Sequence, residues 1–338
     1  MRRAPLLGSR SFIVGAAVSV AALAIVAAPL AMVGDGGRAP LRHRFERWFP
    51  RDRRLNRPIA RRTAVDARSP AMIRLLTQTK DRLAIEVRRW TVPVYHADAS
   101  TRRYDVKLLG PDVDGKSLRN VPIPARSAPD PMADGHMAVL DRSSGCVFEL
   151  YQARKLTDGR WTATWGNSKN ERRGLATYPS GGSTRGSGFS SIAGLIRPEE
   201  LKAGAIRHAL VFAYRYTKAG GPVPPATRSD GRSRDRDAIP IGARLRLNPR
   251  FDVSTLHPRW QRTIARALQV YGMYLVDTGG DMAVMAQNPQ SYPINPYPWG
   301  DANFVFLPRA VLQSLQVLKL PPQYQPPRRR DRRCTAFR

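Results

Sequence analysis

Four Asp-Gly pairs punctuate the middle of this chain: Asp114-Gly115, Asp134-Gly135, Asp158-Gly159 and Asp230-Gly231. Glycine takes the positive φ of a tight turn, and aspartate can hydrogen-bond its own backbone, so each pair is a turn signal. The stretches between them are short and apolar. HMAVLD (136–141) follows the second pair. CVFELYQARKL (146–156) and WTATWG (161–166) flank the third. Residues 134–166 therefore read as a three-stranded antiparallel meander. Proline (29) and glycine (26) are abundant, which works against long helices and favours a β-rich, loop-rich fold.

The stretch 174–216 carries the densest set of polar groups. Gly181, Gly182, Gly186 and Gly188 are interleaved with Ser183, Thr184, Arg185 and Ser187. Exposed amides beside one fixed cation suit a carboxylate, a phosphate or a sugar. The plain alternative is an ordered loop with Arg185 paired to a local acid. The spacing does not match a nucleotide P-loop. Pro198, Glu199 and Glu200 mark a helix start and Gly204 its end. Residues 205–216 then read as a strand, with Ile206, His208, Leu210 and Phe212 on one face.

Helical spacing is partial over 69–88. It is clear after His257, where Trp260, Ile264, Ala267, Leu268, Tyr271 and Leu275 form one stripe. A strand over 282–286, a pinned loop over 288–300 and a short helix within 308–318 follow. Asp277 and Asp281 flank Gly279-Gly280, as either a capped turn or a pair of calcium-type oxygens.

Arg2, Arg3 and Arg10 precede 22 uncharged residues, Phe12 to Val33. That pattern predicts residues 1–33 as a signal peptide or N-terminal membrane anchor. Residues 34–68 read as a basic linker in which Trp48 and Phe49 suit a membrane interface. Residues 69–322 read as one β-rich domain and 323–338 as a disordered basic tail. The net charge of +30 is uneven: residues 38–62 hold ten arginines against Glu46 and Asp52. Such segments fit anionic polymer or lipid. The motifs of nucleic-acid binding are missing from the sequence, which ranks that partner low. Two cysteines, Cys146 and Cys334, make no framework, and their pairing is open at this level. No zinc motif occurs.

The succession DGHMAV, WxxxWGN, RGSGF, RPEEL, RHALVFA, SDGR, GARLRL, ARALQVYGMYLVDTGG and NPYPWGD resembles a group of exported, uncharacterised actinobacterial proteins over residues 90–320. The resemblance implies an antiparallel β-sandwich of jelly-roll type with one or two short packed helices, an architecture common among glycan-binding and glycan-cleaving proteins. It transfers no functional residues.

The candidate catalytic groups are His136, Glu149, His208 and Asp230. Histidines suit acid/base work, and glycoside hydrolysis needs a carboxylate pair. On β alternation Glu149 shares a solvent side with Val147 and Tyr151. Tyr151 and Trp165 would then stack sugars, while Arg185 and Tyr178 would neutralise or orient an acidic one. The expected function is polysaccharide handling outside the cell, by a hydrolase, a lyase or a binding protein, with polysaccharide or cell-envelope polymer as partner. The alternative is an envelope protein held on anionic lipid or wall polymer by its basic arms. The sequence names no cofactor.

Overall fold

The computed structural model describes residues 47–78, 82–111, 116–178, 183–326 and 334. These all belong to one compact unit, residues 45–338. The expected leader, most of the linker, the Asp114-Gly115 turn, Gly181, Gly182 and most of the tail beyond 326 lie outside the described residues. No helix of the described residues is long and apolar enough to cross a membrane.

The protein is mainly β. The largest sheet has seven strands, in spatial order Phe304–Leu307 (β14), Leu83–Glu86 (β1), Ala283–Met285 (β13), Leu210–Tyr214 (β10), Met273–Thr278 (β12), Arg244–Leu247 (β11) and Leu315–Val317 (β15). A second sheet runs Val94–Ala97 (β2), Met137–Asp141 (β5), Cys146–Tyr151 (β6) and Trp165–Asn170 (β9). A third runs Ser117–Pro122 (β4), Arg103–Leu108 (β3), Trp161–Ala163 (β8) and Arg154–Lys155 (β7). The helices are Arg53–Asn56 (α1), Ser69–Thr77 (α2), Pro198–Ala203 (α3), Arg259–Val270 (α4) and Arg309–Gln313 (α5).

The purely antiparallel expectation is corrected. β1 pairs β13 in parallel, and so do β10 with β12, β2 with β5, and β3 with β8. All five residues of β10 are buried, as befits the central strand of the seven. That strand is shorter than the sequence indicates. His208 precedes it in a bend, after α3 has closed at Gly204 with φ +73°. The 69–88 segment splits into α2 and β1, because its apolar spacing changes from helical to continuous at Leu83.

The meander is present in outline. β5, β6 and β9 are antiparallel neighbours. Between β6 and β9 the chain leaves for the third sheet, forming the β7–β8 hairpin about Asp158-Gly159, where Gly159 has φ +83°. Side chains of the second and third sheets share one core, including Met137, Phe148 and Leu150 against Val106, Leu118 and Trp161. The other face of β6 is covered too. Val147 joins the main core with Phe212, Leu275 and Ile264. Trp48 and Phe49, expected at a membrane interface, are buried in that same core.

Cys146 at the start of β6 is disulfide-bonded to Cys334, closing a sequence separation of 188 residues. The Ser168 hydroxyl donates to the Cys334 carbonyl beside it. Cross-linking so long a loop restricts the unfolded chain and stabilises by about 2–4 kcal/mol. Cys334→Ser should lower unfolding stability by that order in denaturant titrations. Reduced wild type should match the variant, whereas equal stability of oxidised and reduced wild type would refute the assignment.

Candidate functional site

A cavity of about 620 Å³ opens where the ends of β1, β12 and β13 meet the turn before β5. Its polar lining is Glu86, Asp134, His136, Arg185, Asp277, Thr278 and Asp281, and its aromatic walls are Trp90, Phe304 and Phe306.

Asp277 is positioned by a bulge. In the β10–β12 pairing Phe212 faces Leu275 but Ala213 faces Asp277, so Val276 is an extra residue. A bulge re-aims the side chain that follows it. The glycine-rich loop then closes over this carboxylate. The Gly186 amide donates to Asp277 Oδ1 at 3.1 Å, and the Ser187 amide donates to the Val276 carbonyl at 3.0 Å. A Cβ on Gly186 would stand 2.5 Å from the Asp230 carboxylate, so only glycine lets Asp230 come so close. Thr278 donates to Asp230 Oδ1 at 2.7 Å. Asp230 is exposed at the rim and does not line the cavity. Burial pushes Asp277 up to about 7, and the neighbouring Asp230 charge adds to the rise while Arg185 opposes it.

Arg185 is 3 % exposed. Its Nη2 donates to the Ser191 carbonyl at 2.6 Å, its Nη1 contacts Met285 Sδ at 3.0 Å, and its Nε has no partner. The expected local acid at hydrogen-bond distance is not there. Its compensating charges act through space and are, in order, Asp277, Glu149 and Glu86. Glu86 ends β1, and burial raises its carboxyl well above the usual range, with Arg185 pulling the other way.

His136 is buried, and its Nδ1 has no hydrogen-bond partner. Burial and the Arg185 charge hold it down to about 3, so the imidazole is neutral at physiological pH. Its ring stands edge-on to Tyr151 at 5.1 Å, and Tyr151 stacks on Trp165 at 5.5 Å. Tyr151 donates its hydroxyl to Asp134 Oδ1 at 3.3 Å. Burial, with Asp134 next, pushes the Tyr151 phenol up to about 12, so it remains a donor.

Trp90 has φ +60°, an uncommon conformation for a bulky residue that costs of order 1–3 kcal/mol. Asp130 braces this turn: its carboxylate accepts from Asn288 Nδ2 at 3.1 Å and from the Met132 amide at 3.2 Å, and the nearby Trp90 and Thr91 amides favour its ionised form. Asn288 also donates to the Arg88 carbonyl. The strained indole is thereby fixed at the cavity wall.

The structure thus gathers His136, Arg185, Tyr151, Trp165 and Asp230 in or beside one cleft. Three other sequence candidates sit elsewhere. Glu149 is not on a solvent face: it is wholly buried, bonded by the Ser190 and Thr184 hydroxyls, and serves as a countercharge behind the cavity. The alternation of β6 holds, but both of its faces are covered. His208 is bonded to Glu200 at 3.2 Å and to the Ala209 carbonyl, within a buried group that includes Arg197. Tyr178 is 1 % exposed, with the Lys169 ammonium 4.3 Å over its ring.

Sequence reasoning missed Glu86 and Trp90 as site residues, read Asp134 as a turn cap, and offered Asp277 only as part of a capped turn or, with Asp281, as a calcium-type oxygen. One signal was available: a glutamate in the apolar run LAIEV (83–87) is as anomalous as Glu149 in its own strand. Among the described residues, no group of three or more His, Cys, Asp or Glu is arranged to hold a metal ion. No family model, curated protein or solved structure matches the chain.

The raised pKa of Asp277 fixes a sign for stability. The unfolded carboxyl ionises near 4 and the folded one near 7, so the contribution is full below pH 4 and is lost as pH rises to 7. Asp277→Asn keeps the neutral form. Its melting temperature should gain on wild type from pH 4.5 to pH 8, and a difference independent of pH would contradict this placement.

Proposed function

We propose that the protein is an exported enzyme that hydrolyses glycosidic bonds in a neutral polysaccharide, with the cavity as its active site. The observation that carries this reading is the carboxylate set Glu86, Asp134 and Asp277 around a single buried cation, between aromatic walls. Glycoside hydrolysis runs on one protonated and one ionised carboxyl flanking the scissile bond. Asp277, close to 7, supplies the acid. Burial raises the Asp134 carboxyl above its ordinary range and the bond from the Tyr151 hydroxyl opposes that rise; in its ionised form Asp134 serves as base or nucleophile. Trp90, Phe304 and Phe306 offer faces for sugar C–H groups. Arg185, almost wholly buried at the cavity wall, stabilises the ionised forms.

Charge decides against an acidic substrate. Asp134, Asp230 and Asp281 outnumber Arg185 at or beside the cavity and would repel a uronate, while burial holds Glu86 and Asp277 toward their neutral forms. The lyase reading nevertheless has one favourable feature, the neutral His136 beside the Tyr151 phenol and Arg185, a base-and-cation set. We read the second and third sheets, with their shared core, as the sandwich of the exported actinobacterial proteins that the sequence resembles. The Cys146–Cys334 disulfide fits an oxidising compartment.

The two chemistries separate in one assay on neutral and acidic polysaccharides that follows new reducing ends and unsaturated-uronate absorbance together. Hydrolysis gives reducing ends alone; a paired absorbance rise would establish the lyase. Asp277→Asn should slow release by about 100-fold or more. The rate should fall as pH rises through about 7. Asp230→Asn should move that limb to lower pH, because it removes the charge that helps keep Asp277 protonated. An unmoved limb would dissociate Asp277 from the reaction.

A further inference from the structure

A second cleft, of about 340 Å³, shares no residue with the first. Its polar lining is Arg53, Arg54, Arg57, Arg244 and Thr63, and no acidic residue lines it. The nearest carboxylate in sequence, Asp52, is buried and occupied. Its Oδ1 takes the Arg54 and Leu55 amides and its Oδ2 the Ala176 amide, and its contact with Arg54 is a long 3.8 Å. Arg53 and Arg57 make no side-chain hydrogen bond or ion pair among the described residues.

The fourth arginine is rigidly placed. Arg244 Nε donates to the Tyr271 carbonyl at 2.9 Å, and Nη2 reaches both that carbonyl and the Arg57 carbonyl, at 3.2 Å. Its guanidinium lies 5.1 Å from the Tyr274 ring centroid. Nη1 is left with no bond. Four guanidinium groups line this cleft with only the long Arg54–Asp52 contact to offset them, so an entering anion is favoured, and their planar forks match phosphate oxygens. Pro58, Ile59 and Leu318 give the same cleft an apolar side.

We infer that this cleft binds the phosphate headgroup of an anionic membrane lipid. The uncharged run Phe12 to Val33 ends 20 residues before Arg53, a tether of at most about 70 Å. An apolar run of that length held in a bilayer would keep the cleft close to headgroups. The apolar side of the cleft suits the glycerol and upper acyl carbons beside the phosphate.

The test is arginine footprinting with phenylglyoxal, read by mass spectrometry on the full chain in nanodiscs. Discs of phosphatidylcholine alone are compared with discs containing phosphatidylglycerol. Labelling of Arg53, Arg54 and Arg57 should fall several-fold only with phosphatidylglycerol, while exposed Arg154 stays reactive. Arg53→Glu with Arg57→Glu should abolish the lipid-dependent protection of Arg54 at an unchanged melting temperature. If that variant is unfolded, Arg54→Gln supplies the same reading at Arg57. Equal labelling in both discs would overturn the proposal. Protection by millimolar inorganic phosphate in micelles without protection by phosphatidylglycerol would also overturn it, by assigning the cleft to a soluble phosphate.

Discussion

The structure is arranged around one buried guanidinium. Arg185 is removed from water with only a carbonyl and a thioether at bonding distance. A cation so placed is unfavourable unless negative charge gathers around it. That charge comes from three different places: Asp277 at the end of β12, Glu149 within β6 and Glu86 at the end of β1. The seven-stranded and second sheets each contribute to it. Burial raises each carboxyl and the Arg185 charge pulls each the other way, so cation and carboxyls bias one another's protonation. A cluster balanced in this way is suited to moving protons.

The rest of the molecule fixes the members of that cluster. The seven-stranded sheet sets β1 beside β13 although they lie far apart in sequence, with β10 between β13 and β12, and residues at the ends of β1, β13 and β12 line the cavity. The second sheet supplies the opposite polar wall through the Asp134-Gly135 turn and the Tyr151–Trp165 stack. The third sheet covers the outer face of β6, which leaves the inner face free to carry Glu149. At the cavity wall Trp90 takes a positive φ, and Asp130 and Asn288 hold this otherwise unfavourable turn.

Features set by neighbouring residues were legible in the sequence. The Asp158-Gly159 hairpin, the closure of α3 at Gly204 and the stripe of α4 as far as Leu268 each depend on a few consecutive residues, whereas Leu275, read into that stripe, lies in β12 beyond the helix end at Val270. His136, Arg185, Tyr151 and Trp165 were legible as candidates because polar or aromatic groups beside turns are uncommon inside a core. Long-range geometry was not legible. The parallel pairing of β1 with β13 joins residues about 200 apart, and no local pattern announces it. Without that pairing Glu86 has no reason to belong to a site. The bulge at Val276 is likewise a property of two strands together, so Asp277 read only as part of a capped turn or as a calcium-type oxygen beside Asp281. His208 and Glu149 misled for one reason: in both, a single polar residue in an apolar stretch meets a buried partner, Glu200 for one and Ser190 for the other.

The central claim is that Arg185 and its carboxylates form one coupled protonation system. Carboxyl-carbon nuclear magnetic resonance of Asp277, followed against pH in wild type and in Asp230→Asn, tests it most directly. The account predicts a midpoint near 7 in wild type and a lower one in the variant. An Asp277 that titrates near 4 in both proteins would contradict it, and the cleft would then be an ordinary solvated surface.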